Sequence, residues 1–294
     1  MRVLIIGCGY VGLPLGADLA RQGHEVFGLR RSASAKSKLE AAGIKPLFAD
    51  ITRPETLAGL PGSFDWVVNC AASGGGDTGD YRPLYLEGTR NVVEWLSPHP
   101  PKKFVYTSST SVYGQTDGSW VTETSPAEPF AATSRILAAT EEMLIDAVRH
   151  TGFPAVILRV AGIYGPDRGY WLKQVLENRA RIQGKGDRIL NMIHRDDVVG
   201  CIIAALEGGR PGGIYNAVDD EPASQLDLFR WLAAELGQSL PPSAPEEPGS
   251  RTRGSTDKKV SNQKLKTELG YRLKFQTFRQ GYAAELKRLR GGAS

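Results

Sequence analysis

Short apolar runs alternate with longer amphipathic stretches through the first half of the chain. The runs predict strands at 3–6, 25–29, 45–49, 65–69, 103–107 and 155–160, and the stretches predict helices at 11–22, 34–41, 81–96 and 132–150. Strands that alternate with helices at this spacing form βαβ units, whose right-handed crossovers build a parallel sheet covered on both faces. The pattern therefore predicts an α/β fold with a doubly wound parallel sheet.

The second half of the chain is less regular. It predicts helices at 170–180, 196–207, 224–237, 262–268 and 278–290. Because these helices follow the main strand–helix run, we expect a sheet domain over 1–165, to which some later segments return, and a smaller C-terminal lobe over 166–294. Residues 240–257 are rich in Pro, Ser, Gly and charge, which predicts a loop that is mobile or ordered by a ligand.

Composition narrows the class of protein. The 294 residues are 41% hydrophobic and 23% charged, which is typical of a globular chain. The three cysteines, Cys8, Cys70 and Cys201, lie far apart with no CxxC pair, so we expect neither a metal site nor disulfides, and a reducing compartment. No apolar run approaches the ~20 residues that span a bilayer, and the N-terminus lacks a signal-peptide layout. We therefore expect a soluble, cytoplasmic protein without a membrane partner.

The positive charge is concentrated near the C-terminus. Residues 251–290 hold 12 Lys and Arg against three acids, whereas the whole chain has a net charge of +4. Three interpretations of such a segment are open: a surface that binds nucleic acid, a helix face exposed to solvent, or a region that contacts an anionic substrate. No aromatic-rich or helix-turn-helix pattern accompanies it, so we expect no nucleic-acid partner. The solvated face is the favoured interpretation, and the anionic small molecule stays open.

A glycine turn, residues 7–12, links the first predicted strand to the first predicted helix. Its GxGxxG pattern is formed by Gly7, Gly9 and Gly12, with Tyr10 and Val11 between the last two. The first glycine allows a tight turn, the second lets the backbone approach a pyrophosphate, and the third permits close packing of helix on strand. The helix N-terminus then presents its N–H groups and positive dipole end to the phosphates. The turn predicts a dinucleotide cofactor; a purely structural turn is the alternative.

The end of the second strand indicates which dinucleotide. NAD-binding proteins usually carry an acid at this point for the ribose hydroxyls, but here the strand ends in Arg30 and Arg31. Arginines can chelate a 2′-phosphate, which an acid would repel. We therefore predict NADP(H) in preference to NAD(H), with ordinary surface charges as the alternative.

The ends of the next two strands also carry residues suited to a cofactor. Asp50 and Ile51 follow the third strand, where the Asp50 carboxylate could accept a hydrogen bond from the adenine amino group or simply form a turn. Cys70, Ala71 and Ala72 end the fourth strand. Such small residues suit a backbone that is pressed against a cofactor.

Several later motifs together carry a family resemblance. They are FVYTSSTSVYG at 104–114, LRVAGIYGP at 158–166, NMIHRDDV at 191–198, GIYN at 213–216 and LGY at 269–271. In this order they resemble the extended short-chain dehydrogenase/reductase family of the NAD-dependent epimerase/dehydratase type. The resemblance implies a Rossmann-type domain with a small substrate lobe and a cofactor across the strand ends. It further implies that Ala161, Gly162 and Ile163 flank the nicotinamide, and we expect Thr107 to contact the cofactor as well.

The resemblance also implies a catalytic set, part of which is missing. The Ser109 hydroxyl would polarise a substrate oxygen, and a tyrosine 20–25 residues later would act as acid and base. A lysine four residues after that tyrosine would lower its pKa, since an unassisted phenol near pKa 10 is a poor base at neutral pH. Residues 126–145 contain neither a tyrosine nor a lysine. The chain therefore looks like an atypical member of the family.

Two alignments of this window are open. They put either Phe130 with Ser134, or Thr133 with Leu137, at the tyrosine and lysine positions. Neither pair can transfer a proton as the tyrosine–lysine pair does. The acid or base must come from elsewhere, or the site is not catalytic.

Three other residues are candidates for the missing roles. Tyr113 could donate a proton, although its place in the family motif implies that it shapes the pocket. Arg135 could replace the lysine charge beside the ribose, but a guanidinium with a pKa above ~12 cannot shuttle a proton. His194 could be catalytic, or it could sit at the lobe junction while Asp196 and Asp197 cap the next helix.

Two functions remain open. One is an NADP(H)-dependent oxidoreductase or epimerase that acts on a carbonyl or sugar-like substrate, with nucleotide-linked sugars included. The other is a non-catalytic NADP(H)-binding redox sensor or regulatory protein. We expect a small-molecule partner and a monomer or homodimer; the resemblance implies that the helices at 81–96 and 132–150 would pair in a dimer.

Overall fold

A seven-stranded parallel sheet forms the centre of the computed structural model, which describes residues 1–73, 78–245 and 256–291. The strands are β1 (Arg2–Ile6), β2 (Glu25–Arg30), β3 (Lys45–Phe48), β4 (Trp66–Asn69), β5 (Lys103–Ser109), β6 (Ala155–Val160) and β7 (Ile214–Ala217). Their spatial order is β3-β2-β1-β4-β5-β6-β7, and each neighbouring pair is parallel. The order reverses between β1 and β4, which is where ligands bind in open α/β sheets. The predicted doubly wound parallel sheet is confirmed.

Ten helices surround the sheet and build the lobe within the described residues. They are α1 (Gly12–Arg21), α2 (Lys36–Ala41), α3 (Thr78–Tyr81), α4 (Gly88–Leu96), α5 (Ala132–Thr151), α6 (Tyr170–Leu176), α7 (Arg195–Gly208), α8 (Gln225–Leu236), α9 (Gln263–Leu269) and α10 (Phe278–Gly291). A π-helical turn, Arg82–Glu87, joins α3 to α4, and short 3-10 turns lie at Ala33–Ala35, Pro54–Thr56 and Thr110–Val112. The single helix predicted at 81–96 is therefore interrupted by a π-helical turn.

The near-continuous apolar runs of the strands reflect burial on both faces of the sheet. In β1, Val3 and Ile5 belong to the core cluster formed with α1, α2 and α7, whereas Leu4 and Ile6 belong to the cluster formed with α4 and α5. Side chains that alternate along a strand point to opposite faces, so each face receives every second residue. Because both faces of this sheet are covered, successive strand positions are all buried and need apolar residues.

A separate apolar core holds the C-terminal lobe together. Leu172, Leu228, Phe229, Phe278 and Leu286 pack there from helices α6, α8 and α10. Short strand pairs frame it: Ile182–Gln183 with Ser243–Ala244, Ile189–Leu190 with Ala223–Ser224, Met192–His194 with Gly162–Tyr164, and Trp120–Val121 with Lys259–Val260. Helix α7, strand β7 and helix α9 pack on the sheet domain instead.

Part of the loop predicted at 240–257 is ordered by pairing. The strand Ser243–Ala244 pairs with Ile182–Gln183, and the Ile182 N–H donates to the Pro242 carbonyl at 3.0 Å. Residues 246–255 of that prediction lie outside the described residues. None of the described helices is long and apolar enough to cross a membrane.

Internal ion pairs engage four described basic residues of the C-terminal segment. The pairs are Lys266 with Asp220, Lys274 with Asp196, Arg279 with Glu221, and Arg288 with both Glu285 and Asp167. Apart from Glu285, these acids precede the basic segment, and the most distant of them is Asp167, so the segment neutralises carboxylates of the earlier chain.

A buried ion pair ties helix α5 to the strands beneath it. Glu141 and Arg159 are each 4% exposed, and the Arg159 Nη2 donates to the Glu141 Oε2 at 2.7 Å. The Ser108 hydroxyl donates to the other Glu141 oxygen. The Arg159 guanidinium also lies 4.7 Å from the centre of the Tyr113 ring, whose hydroxyl donates to the Asn216 Oδ1 at 2.8 Å. This network therefore joins β5, β6, β7 and α5.

Replacing Glu141→Gln should destabilise the fold because it leaves the buried Arg159 charge without a counter-ion. We expect the free energy of unfolding, measured by urea denaturation, to fall by about 3 kcal/mol. The matched control is Glu142→Gln, the exposed neighbour on the same helix, which should change it by less than about 0.5 kcal/mol. Equal losses in the two variants would contradict the role given to this ion pair.

Candidate functional site

A large cavity of about 1440 Å³ runs along the C-terminal ends of the strands. The sheet domain lines it with the glycine turn and the ends of β2 to β6, and the lobe closes the other side. The cavity lies over the point where the strand order reverses, between β1 and β4. Its size and position are those of a site for a cofactor and a substrate together.

Packing explains why the glycine turn requires its glycines. Gly7 has a φ of +79°, and a Cβ there would lie 2.3 Å from the Ala71 Cα. A Cβ on Gly12 would lie 2.8 Å from the Gly7 carbonyl oxygen and 3.1 Å from the Cys70 Sγ. Gly7 is on the cavity wall, whereas Gly12 lies behind it and lets α1 approach the sheet. The turn is thus pressed against the end of β4.

The N-terminus of helix α1 is open to a ligand. Its N-cap residue, Val11, makes no side-chain hydrogen bond to the helix, and the first turn carries no acid. The first N–H groups of a helix need partners that the helix cannot supply, and phosphate oxygens suit them. Gly9, Tyr10 and Val11 line the cavity beside this helix end. These residues fit the pyrophosphate of a dinucleotide.

Two arginines stand at the end of β2. The Arg30 Nη1 donates to the Cys8 carbonyl at 3.2 Å, and it lies 2.9 Å from where a Gly9 Cβ would be. Arg31 is exposed, and both side chains line the cavity. The guanidinium of Arg30 therefore lies over the glycine turn, on the side predicted for the adenosine ribose.

The ends of β3, β4 and β5 complete the part of the cavity wall that the sheet domain supplies. Asp50, Ile51, Cys70, Ala71, Ala72 and Thr107 all line the cavity, as do Ala161, Gly162 and Ile163 after β6. The Asp50 Oδ1 accepts from the Thr52 N–H at 3.0 Å and from its hydroxyl at 2.8 Å, so this carboxylate forms a turn as well as part of the wall.

The two cysteines beside the turn are neutral thiols. Burial raises the pKa of Cys8 to about 12, and it raises the pKa of Cys70 further. The Cys70 thiol donates to the Ile6 carbonyl at 3.3 Å. Both therefore act as small packing groups, because the thiolate is the nucleophilic form.

Helix α5 resolves the two possible alignments of the missing pair. Leu137 is the α5 residue that lines the cavity, whereas Ser134 is buried behind the wall, where its hydroxyl donates to the Oγ of the wall residue Ser111 at 3.0 Å. The alignment that places Thr133 and Leu137 at the tyrosine and lysine positions is thus the one that the structure supports. An aliphatic side chain occupies the position where a lysine would touch the cofactor.

Ser109 lies at the cavity wall with a hydroxyl proton to donate. Its Oγ accepts from the Ser111 N–H at 3.1 Å, which caps the short turn after β5. Because this bond uses an oxygen lone pair, the hydroxyl proton stays available to a ligand. The backbone contact and the predicted substrate contact are therefore compatible.

Tyr113 and Arg135 do not reach the cavity. The Tyr113 side chain is fully buried, and burial raises the pKa of its hydroxyl, which is bonded to Asn216. Arg135 is exposed on the outer surface of α5. The proposed proton donation by Tyr113 and the proposed ribose contact of Arg135 are corrected accordingly, because packing directs both side chains away from the wall.

His194 is not on the cavity wall, and its side chain stabilises the start of helix α7. Its Nδ1 accepts from the Asp196 N–H at 3.2 Å and so caps α7, and its Nε2 lies 3.3 Å from the Glu285 Oε1. The catalytic role considered for His194 is therefore corrected. Asp197 does not cap the helix; it is buried and accepts from the Tyr271 hydroxyl at 2.9 Å.

The sequence interpretation missed most of the wall that the lobe supplies. The added residues include Arg168, Tyr170, Trp171, Lys173, Arg188, Asn191 and Lys258. Among the described charged residues on the wall, six are basic and two, Asp50 and Asp167, are acidic. Asp167 is paired with Arg288 at 3.0 Å. The one available signal was the basic segment 251–290, for which contact with an anionic substrate was left open.

Comparison with known proteins places this geometry in a family. Residues 3–217 match the model of the NAD dependent epimerase/dehydratase family. The chain belongs to the NAD-dependent epimerase/dehydratase family. It is an atypical extended short-chain dehydrogenase/reductase, because α5 carries Thr133 and Leu137 where the tyrosine–lysine pair is expected.

Some proteins that are similar to this chain carry the name of an enzyme, and others carry a name that states no reaction. Protein YeeZ of Escherichia coli (strain K12) is 29% identical over 82% of this chain and 85% of its own length. The 2-alkyl-3-oxoalkanoate reductase of Stenotrophomonas maltophilia (strain K279a) is 25% identical over 81% of this chain and 76% of its own. A solved structure from Methylobacillus flagellatus superposes with a TM-score of 0.76 at 34% identity and covers 98% of both chains. These similarities support a nucleotide-cofactor oxidoreductase or epimerase-like enzyme.

Replacing Gly7→Ala should abolish cofactor binding and weaken the fold, because an alanine would be strained at this φ and would collide with Ala71. We expect the free energy of unfolding to fall by at least about 2 kcal/mol. Nicotinamide fluorescence should show no saturable binding of NADPH or NADH. Gly59→Ala is the control, since a Cβ there meets nothing within 4 Å. Unchanged binding in Gly7→Ala would show that the turn does not hold the cofactor.

Proposed function

We propose that the protein is an NADP(H)-dependent reductase of small carbonyl compounds that carry an anionic group. The observation that carries the proposal is one continuous cavity. It joins the glycine turn to a lobe wall on which Arg168, Lys173, Arg188 and Lys258 outnumber the single carboxylate of Asp167. A cavity with this distribution of charge suits a dinucleotide at one end and an anionic substrate at the other.

The cofactor assignment rests on the two ends of the sheet-domain wall. The open N-terminus of α1 would hold the pyrophosphate, and Arg30 with Arg31 would hold the 2′-phosphate by charge-assisted hydrogen bonds. The wall segment 161–163, which follows β6, would flank the nicotinamide, as the family resemblance implies. When bound, NADPH supplies the hydride that a carbonyl carbon needs.

The residues of this chain supply orientation and polarisation. The Ser109 hydroxyl proton is available to a carbonyl oxygen, since the bond to Ser111 uses only an oxygen lone pair. The lobe cations would hold the anionic group of the substrate. The reductase named in Stenotrophomonas maltophilia, whose substrate is a 3-oxoalkanoate, supports this substrate class.

A non-catalytic NADP(H)-binding sensor is the second candidate. It is favoured by one observation, the aliphatic Leu137 on the wall where the family's lysine would lie. Such a protein would bind the cofactor with its glycine turn and turn over no carbonyl compound.

Cofactor preference is tested by titrating the cofactor-free protein with NADPH and NADH in a calorimeter. We expect tighter binding of NADPH, and Arg30→Asp should weaken that binding by about 1–3 kcal/mol because a charge-assisted contact is lost. NADH affinity should change little. The control is Lys38→Asp, an exposed lysine of α2 outside the wall. An unchanged NADPH affinity in Arg30→Asp would refute the phosphate assignment.

Substrate class is tested with 3-oxooctanoate and its methyl ester, which have the same carbon chain and 3-oxo group but differ in the carboxylate charge and one methyl group. We expect NADPH oxidation with both, and a kcat/KM for the acid at least about tenfold higher, because one charge-assisted hydrogen bond contributes about 1.5–3 kcal/mol. Equal kcat/KM values for the acid and the ester would contradict the proposed preference for anionic substrates. Tight NADPH binding without oxidation by either compound would favour the sensor.

A further inference from the structure

We propose that the Lys258 ammonium donates the proton to the carbonyl oxygen and so replaces the tyrosine that α5 lacks. This inference rests on the proposed reductase function. Lys258 comes from the C-terminal part of the chain, far in sequence from α5, and it lies on the wall of the same cavity.

The surroundings of Lys258 are unusual for a lysine. The residue is only 4% exposed, and its Nζ donates to the Thr256 hydroxyl at 2.6 Å. Within the described part of the chain, no carboxylate oxygen lies within 4 Å of this nitrogen. Lysines are seldom buried unless they are paired, because an unpaired buried charge is costly. A buried amine at a cavity wall is instead placed to meet a ligand.

The backbone around Lys258 is held rigidly beside the nicotinamide end of the wall. The Asn191 Nδ2 donates to the Lys258 carbonyl at 2.9 Å, and the Asn191 Oδ1 accepts from the Val260 N–H at 2.9 Å. The Asn191 carbonyl in turn accepts from the Gly162 N–H at 3.1 Å. Asn191 thus fixes Lys258 to the segment that follows β6.

Burial also prepares the amine for proton transfer. It lowers the pKa of Lys258 to about 8, and the neighbouring Asp257 carboxylate raises the pKa by a smaller amount. The other charged groups on the segments packed against it are Asp117, Asp187, Arg188 and Lys259. A donor works best when its pKa is near the working pH, a condition that the ordinary phenol does not meet. Tyr85 is one of the phenols on the same wall.

The proposed step balances with the cofactor as the named reductant. The carbonyl carbon receives the hydride of NADPH while the carbonyl oxygen receives a proton from Lys258, and the products are an alcohol, NADP⁺ and a neutral amine. The amine then takes a proton from water that enters the cavity. Because the ammonium must be protonated for reduction, kcat should fall as pH rises through about 8.

Three variants separate proton donation from anion binding, with NADPH and 3-oxooctanoate as the probes. Lys258→Met and Lys258→Arg should each lower kcat at least about 100-fold, since neither side chain can donate a proton at neutral pH. Lys258→Arg keeps the charge, so its KM should stay within about threefold of the original value. The control is Lys259→Met, a neighbour outside the wall, which should retain full activity.

A second readout needs no turnover. Correlation of lysine Cε and Nζ signals by NMR should show one amine that titrates near pH 8, and the signal should be absent from Lys258→Arg. As pH falls from 10.5 to about 8, the unfolded chain binds a proton on this lysine before the folded chain does, so the cost of burying the amine grows over that range and is fully present below pH 8. Lys258→Met should therefore unfold at higher urea concentration than the original protein at pH 7.

Several results would overturn the inference. A Lys258→Arg variant with full kcat would make this lysine an anion anchor only, and activity that persists in both variants would remove it from the reaction. A Lys258 amine that titrates with the surface lysines, or a loss of kcat in Tyr85→Phe alone, would do the same. No turnover by the original protein would refute the proposed function and this inference together, whereas tight NADPH binding would still establish the cofactor site.

Discussion

The buried Glu141–Arg159 pair is the interaction on which the site geometry depends. Neither charge is stable in the interior without the other, so α5 and β6 can pack only in the register that joins them. The same carboxylate accepts from Ser108, the residue before the candidate Ser109, and the guanidinium lies on the Tyr113 ring. The pair therefore sets the position of the strand ends that form the cavity wall.

The site distributes its chemistry unevenly between the two parts of the protein. The sheet domain supplies backbone N–H groups, small residues and two arginines, which suit a dinucleotide. Helix α5 supplies an aliphatic side chain where relatives would be expected to place a lysine. The lobe brings several cations to the same cavity, one of them the buried Lys258. Because both parts of the protein line the same cavity, a cation from the lobe can stand in for a side chain that α5 lacks.

Much of the fold could be predicted because its signals are local. All six predicted strands and the nine predicted helices correspond to elements of the structure, with boundaries that differ by a few residues. Strand β7 was not among the predicted strands, since IYNA is only four residues long and Asn216 interrupts its apolar run. The π-helical turn at Arg82–Glu87 leaves no mark in the spacing of apolar residues. The places of Tyr113 and His194 were also missed, because a motif does not show whether a side chain points to a ligand or into the core.

The sequence by itself determined the sheet, the glycine turn, the pair of arginines at the end of β2 and the absence of a tyrosine–lysine pair on α5. Each of these depends on neighbours in the chain, where periodicity and steric demands act directly. Only the tertiary structure decided which α5 alignment faces the cavity, that Tyr113 belongs to the core, and that Lys258 lies on the wall. These depend on contacts between separate segments of the chain, such as Tyr113 with Asn216 and Asn191 with Lys258, which no local pattern encodes.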